Sequence, residues 1–197
     1  MAQFDIEKKK ILEFTTGRWG QKYIDIGAKH PIDLSNTYCL YQVGWSGDIY
    51  EPQPQFKELF NRIRPNDKFH QVAISNRNGH ATLYVDNIDR SYATLEESWI
   101  ERLNYGWSSL NIKTVDASNL SGIYDFCSID VEGHESTIIN RLDFDKFRVG
   151  VFMIESIEHA TFKKMWDQWE PSLTNAGYQF IGQFTPLNRF YRHQDYD

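Results

Sequence analysis

Apolar and polar positions change period several times along the chain, and each change marks an element. Ile6, Ile11, Leu12 and Phe14 predict a short amphipathic helix over 5–14, with Gly17 and Gly20 at its exit. Tyr23-Ile24-Asp25-Ile26 is an apolar run with one acid, closed by Gly27, the pattern of a buried parallel strand ending in a turn. Residues 34–43 predict a helix stopped by Gly44, residues 48–50 a strand running into Glu51-Pro52, and residues 55–63 a helix broken by Pro65-Asn66. A strand over 69–75, the turn signal Asn78-Gly79 and an extended run over 80–85 predict a hairpin.

Farther on, 125–131 (DFCSIDV) is a strand stopped by Glu132-Gly133, 136–142 a helix, and 149–154 a strand ending at Glu155-Ser156. Residues 162–176 predict a long amphipathic helix, and 178–184 with 188–192 a closing hairpin. The stretch 86–111 is polar, aromatic and long for a loop, so it reads as a lid with a helix around 96–103 or as a functional insertion. Strands alternating with helices predict an α/β fold. The expected sheet is central and mostly parallel, with helices on both faces and a C-terminal antiparallel hairpin. A length of 197 residues fits a single domain over 1–197, with 1–20 as an N-terminal helical segment.

Composition narrows the function. A hydrophobic fraction of 41% is enough for a packed core, which excludes a disordered chain. The six Trp, eleven Tyr and thirteen Phe exceed what a minimal core needs and suit a ligand cleft, although a large core also absorbs them. A net charge of -6 argues against holding a nucleic-acid backbone, which takes clustered Lys and Arg. Lys8-Lys9-Lys10 and the pair Arg62 and Arg64 read as solvated helix faces, and Cys39 and Cys127 as reduced core residues. No signal peptide or membrane-spanning run is visible, so the expectation is a soluble cytoplasmic protein.

The chemistry concentrates at strand ends, where open α/β sheets bind ligands. Acids stand at four of them: Asp25, Glu51, Asp130 with Glu132, and Glu155. Glu51 ends the second strand, the place of the acid that holds a ribose in dinucleotide folds; capping the helix after Pro52 is the plainer role. The turn D-I-G-A-K-H-P has one glycine, whereas a pyrophosphate needs several close backbone amides. A sulfonium ligand needs none, and Asp25 beside it suits a cation, so S-adenosylmethionine is expected over NAD. Asp130, Glu132 and His134 alternate and would share a face along an extended strand end. They suit proton transfer, with His134 as a helix N-terminal residue the even alternative. Two carboxylates and an imidazole also suit a divalent metal, but ion-pair networks look the same, and no metal is assigned. Glu135 reads as a first-turn helix acid. His70, His80, His159 and His193 lack ligand spacing, and Trp99 and Trp107 either cap a pocket or belong to the core.

YIDIGAKHPIDLSNTYCLYQVGWSGDIYEPQPQFKELF, QVAISNRNGHATLYVD, TVDASN, DFCSIDVEGHESTIINRLDF and VFMIES together resemble the FkbM family of methyltransferases, from about Tyr23 to Ser156 and in family order. The resemblance implies a Rossmann-like class I methyltransferase fold and an S-adenosylmethionine donor. It also implies O-methylation of a hydroxyl on a sugar, glycan or small metabolite. Carried over by position, Asp25, Gly27 and Ala28 frame the donor, Glu51 holds its ribose, and Ala73 and Ile74 lie near the adenine. Asp130, Glu132 and His134 sit at the methyl-transfer edge: His134 or Asp130 accepts the proton, Glu132 orients, and Glu155 and His159 are next in line. The 86–111 stretch then falls on the acceptor side. Lys29-His30-Pro31 departs from the family turn, and Pro31 removes an amide; either the donor is held less well or Lys29 and His30 replace the lost contacts. The alternatives left open are an NAD-binding oxidoreductase, a non-catalytic nucleotide-binding Rossmann-like domain and, against the acidic balance, a nucleic-acid methyltransferase.

Overall fold

A computed structural model describes residues 2–88, 92–102, 106–158 and 163–196. His159, together with the ends of the helices expected over 96–103 and 162–176, lies outside them. The first half runs α1 (Ala2–Phe14), β1 (Lys22–Ile26), α2 (Tyr38–Gln42), β2 (Ser46–Tyr50), then a 3₁₀ turn at Pro54–Phe56 leading into α3 (Lys57–Ile63). Next come β3 (Lys68–His70), β4 (Ala73–Ser75), β5 (Gly79–Asp86), β6 (Ala93–Thr94), α4 (Glu97–Arg102) and β7 (Trp107–Asp116). The rest is β8 (Gly122–Ile129), α5 (Glu135–Ile139), β9 (Phe147–Glu155), β10 (Ile157–Glu158), β11 (Lys163–Lys164), α6 (Glu170–Asn175), β12 (Tyr178–Gln183) and β13 (Asn188–His193).

Seven strands form the central sheet in the order β12-β13-β9-β8-β1-β2-β3. The pairs from β9 to β3 are parallel, and β13 runs antiparallel to both its neighbours. Alternation along each strand divides the core in two. Ile24, Ile26, Cys127 and Ile129 pack with Ile138, Ile139 and Leu173 of α5 and α6 on one face. Tyr23, Phe126 and Val151 pack with Ile11, Leu40 and Phe60 of α1, α2 and α3 on the other. Helices thus cover both faces, as the sequence pattern predicts.

Four local expectations differ. The run 69–75 is two strands in different sheets, and β5 does not return along β4: both pair with β7, in a second sheet ordered β4-β7-β5-β6. Asn78 fastens this arrangement: its Oδ1 accepts from Asp116 N (3.0 Å) and Asn119 Nδ2 (3.1 Å), tying the turn to the end of β7. The helix expected over 162–176 starts only at Glu170, after a 3₁₀ turn at Trp166–Gln168, because Pro171 has no N–H and is tolerated only in a first helical turn. The helix expected over 34–43 is confined to α2. Arg64 is not solvated: its side chain is fully buried. Among the described residues no helix is long and apolar enough to cross a membrane.

Candidate active site

The order of the central sheet reverses at β1, which has β2 on one side and β8 on the other, and a crevice opens at such a point beyond the strand ends. A cavity of about 290 Å³ lies there. Asp25, Gly27, Ala28, Glu51, Ala73, Ile74, Asp130, Glu132 and His134, the nine positions singled out in the sequence, all line it.

On the β1 side, Asp25 is buried and accepts from Thr37 Oγ1 (2.6 Å). Burial, offset in part by Thr37, pushes its carboxyl up to about 6. Thr37 is itself held by Arg64, which donates to Thr37 Oγ1 (2.9 Å), Ser35 Oγ (3.1 Å), the Pro31 carbonyl (3.3 Å) and Tyr23 Oη (2.9 Å) and pairs with Asp67 (2.6 Å). One buried guanidinium therefore fastens the loop after β1 to the strand beneath it. His30 caps the same loop, its Nδ1 accepting from Ile32 N (3.2 Å) and Asp33 N (2.9 Å). Around Pro31 the chain thus holds itself with Arg64 and His30.

Glu51 does more than face ligand and solvent. Its Oε2 accepts from Lys29 N (2.9 Å) and its Oε1 from Gln53 N (2.8 Å), so it staples the β1 turn to the β2 turn and holds the residue just before the 3₁₀ turn. Each carboxylate oxygen keeps a further lone pair for a hydroxyl. Burial pushes this carboxyl up to about 7 against those backbone bonds. Gly27 has φ +87, and a Cβ there would lie 1.8 Å from the Asp130 carbonyl oxygen. Its missing side chain is filled by the end of β8. Tyr50, which sequence reasoning passed over, also lines the cavity and is backed by the ring of His70 (4.4 Å, 7°).

The IDVEGHE segment is not an extended strand end. β8 stops at Ile129, Glu132 has φ +55 and Gly133 φ +103, so alternation does not set its geometry. Glu135, in the first turn of α5, holds the turn by accepting from Val131 N (2.9 Å) and Gly133 N (3.1 Å). His134 is fixed at both nitrogens: Nδ1 lies 2.6 Å from Glu96 Oε1 and Nε2 3.0 Å from Ser75 Oγ. Glu96 and Ser75 were not foreseen. Glu96 lies in the unassigned stretch and Ser75 at a strand end without any distinguishing signal. Trp99 and Trp107 do not line the cavity; Trp99 is buried against Gly133, where a Cβ would come within 2.7 Å of its ring.

Asp130, Glu132 and Glu155 bring carboxylate oxygens within 4.8 Å of one another. Burial, then the charges of Asp25 and Glu7, push Asp130 up to about 6, while burial and the neighbouring carboxylates push Glu132 and Glu155 well above the usual range. His134 is not among the three.

No curated protein sequence matches the chain. Among solved structures, it is similar to 1,6-didemethyltoxoflavin-N1-methyltransferase of Burkholderia thailandensis, bound to 1,6-didemethyltoxoflavin and S-adenosylhomocysteine. Identity there is 13% over 98% of this chain and 79% of that one, with a TM-score of 0.50, a likeness of fold. Magnesium protoporphyrin IX methyltransferase of Synechocystis PCC 6803, with bound SAM, has 10% identity over 98% and 81% of the two chains (TM-score 0.49). Precorrin-6y C5,15-methyltransferase of Geobacter metallireducens GS-15 has 12% identity over 93% and 86% (TM-score 0.49). The sequence profile of the methyltransferase FkbM domain matches residues 25–180, which include all nine cavity positions and most of the central sheet. The chain belongs to the FkbM methyltransferase family.

Proposed function

We propose that this methyltransferase takes its methyl group from S-adenosylmethionine and delivers it to a hydroxyl of a sugar, glycan or small metabolite, with residues 1–197 acting as one unit. The observation that carries the reading is that one cavity joins the buried acids Asp25 and Glu51 to a histidine oriented by a carboxylate. In the proposed reaction the acceptor oxygen attacks the sulfonium methyl in line, the S–CH₃ bond breaks as the O–CH₃ bond forms, and S-adenosylhomocysteine leaves. The hydroxyl proton passes to His134 Nε2 as the acceptor takes the place of Ser75, while Glu96 holds the ring through Nδ1. Tyr92 and Leu95, from the 86–111 stretch, line the cavity and give its acceptor side a wall.

Thermal denaturation with S-adenosylhomocysteine, S-adenosylmethionine and NAD tests the donor. At a hundredfold excess over Kd, S-adenosylhomocysteine is expected to stabilise the fold by about 2.7 kcal/mol. Glu51→Ala should weaken donor binding by about 1.5–3 kcal/mol, since it removes a charged acceptor and frees the β1 turn. Stabilisation by NAD alone would overturn the donor. S-adenosylhomocysteine release across a panel of hydroxylated acceptors then tests the acceptor class.

A further inference from the structure

We propose that Asp130, Glu132 and Glu155 form a binding site for one hard divalent cation of the magnesium or manganese class, at the methyl-transfer edge of the cavity. The proposal rests on the reading above for the site's use, not for its existence. Residues far apart in sequence converge here: Asp130 and Glu132 follow β8, and Glu155 ends β9. Their carboxylate oxygens lie within 4.8 Å of one another, close enough for a single ion to take one oxygen from each. All the donors are oxygens, which suit magnesium, manganese or calcium over softer metals. His134 is not in the set: among the described residues only the three carboxylates bring ligand atoms within 4.8 Å of one another.

A second observation points to the same ligand. Asn188 sits opposite Glu155 in the β13–β9 register, is 3% exposed and lines the cavity. Its Nδ2 donates to Glu7 Oε1 (3.1 Å), whereas its Oδ1 has no hydrogen-bond partner among the described residues. Glu132 Oε2 is likewise buried and unpartnered. Buried oxygens without donors are rare and costly, and a cation supplies what both lack.

Charge leads to the same place. Each of the three carboxyls is pushed up, first by burial and then by neighbouring acids. Lys29 opposes this at Asp130 and Glu132, but its pull is weaker than burial and the neighbouring carboxylates. A bound divalent ion would let all three ionise together. With Asn188 as a fourth oxygen, octahedral coordination leaves two positions. Those can take oxygens of the acceptor, one of them the hydroxyl to be methylated. The ion would lower that hydroxyl's affinity for its proton, which His134 then takes.

The test is Mn²⁺ binding to the whole chain, followed by electron paramagnetic resonance without donor or acceptor. The expected result is one Mn²⁺ per chain, displaced by Mg²⁺. Glu155→Gln and Glu132→Gln should each lower Mn²⁺ affinity at least tenfold while S-adenosylhomocysteine binding is retained, which also shows that the variants fold. Wild-type protein that binds Mn²⁺ no better than background would overturn the proposal, with no variant needed. Two folded variants that bind Mn²⁺ like wild type would overturn it as well. S-adenosylhomocysteine binding is measured separately, so loss of the donor reading and loss of the cation site give different results.

Discussion

Gly27 is where the two halves of the site touch. The Asp130 carbonyl oxygen occupies the place its Cβ would fill, and φ is +87, so a side chain is refused both by space and by backbone conformation. Gly27→Ala is expected to destabilise the fold by at least about 1 kcal/mol and to weaken S-adenosylhomocysteine binding, because the β1 turn and Asp130 must part. Calorimetry with chemical denaturation measures both; unchanged donor affinity in the variant would show that the two turns are not coupled. The sequence marks Gly27 as special but for another reason, as the single glycine of a turn that frames the donor. The packing of one strand end against another comes from register across the sheet, which no local pattern carries. Arg64 is a sharper case. On a helix end beside Arg62 it looks like a surface charge, and only the assembled fold shows Tyr23, Thr37, Ser35 and Asp67 around it.

At the scale of elements, His134 is positioned by three: the turn before α5, the residue preceding α4 and the end of β4. Glu96→Gln keeps the side chain's shape but removes the charge that holds the imidazole. It should lower kcat by roughly the 10²–10⁴-fold of a lost general base, as should His134→Ala, with S-adenosylhomocysteine affinity unchanged in both. If Glu96→Gln keeps wild-type turnover on an active acceptor, Glu96 is a structural partner only. Strands β1, β2, β8 and β9 were legible because buried parallel strands are apolar runs closed by acids or glycines. β7 was not. Its first half is largely exposed and carries Ser108, Ser109 and Asn111, and the clear alternation at Ile112 and Thr114 comes only later, so it merged with the polar stretch before it. Glu96 was hidden in the same stretch.

Over the whole molecule, buried acids set the response to pH. Asp25 and Glu51 have folded-state values of about 6 and about 7, above their ordinary range of roughly 4. Between those limits the folded chain holds more protons than the unfolded one, so stability falls as pH rises through the window. Chemical denaturation without donor is expected to give lower stability at pH 8 than at pH 5.5, and S-adenosylmethionine should recover part of the difference. A flat profile would show that both acids ionise freely in the folded state. The second sheet has a consequence of another kind. From Ala73 to Asp116 its four strands are contiguous in sequence, while the central sheet is gathered from both ends of the chain. Inheritance can therefore vary the wall bearing Tyr92 and Leu95 as one cassette, leaving the frame that carries Asp25 and Glu51 untouched. On the proposed assignment, a lineage built this way can explore new acceptors by changing that wall, so long as Ala73, Ile74, Ser75 and Glu96 within it are kept.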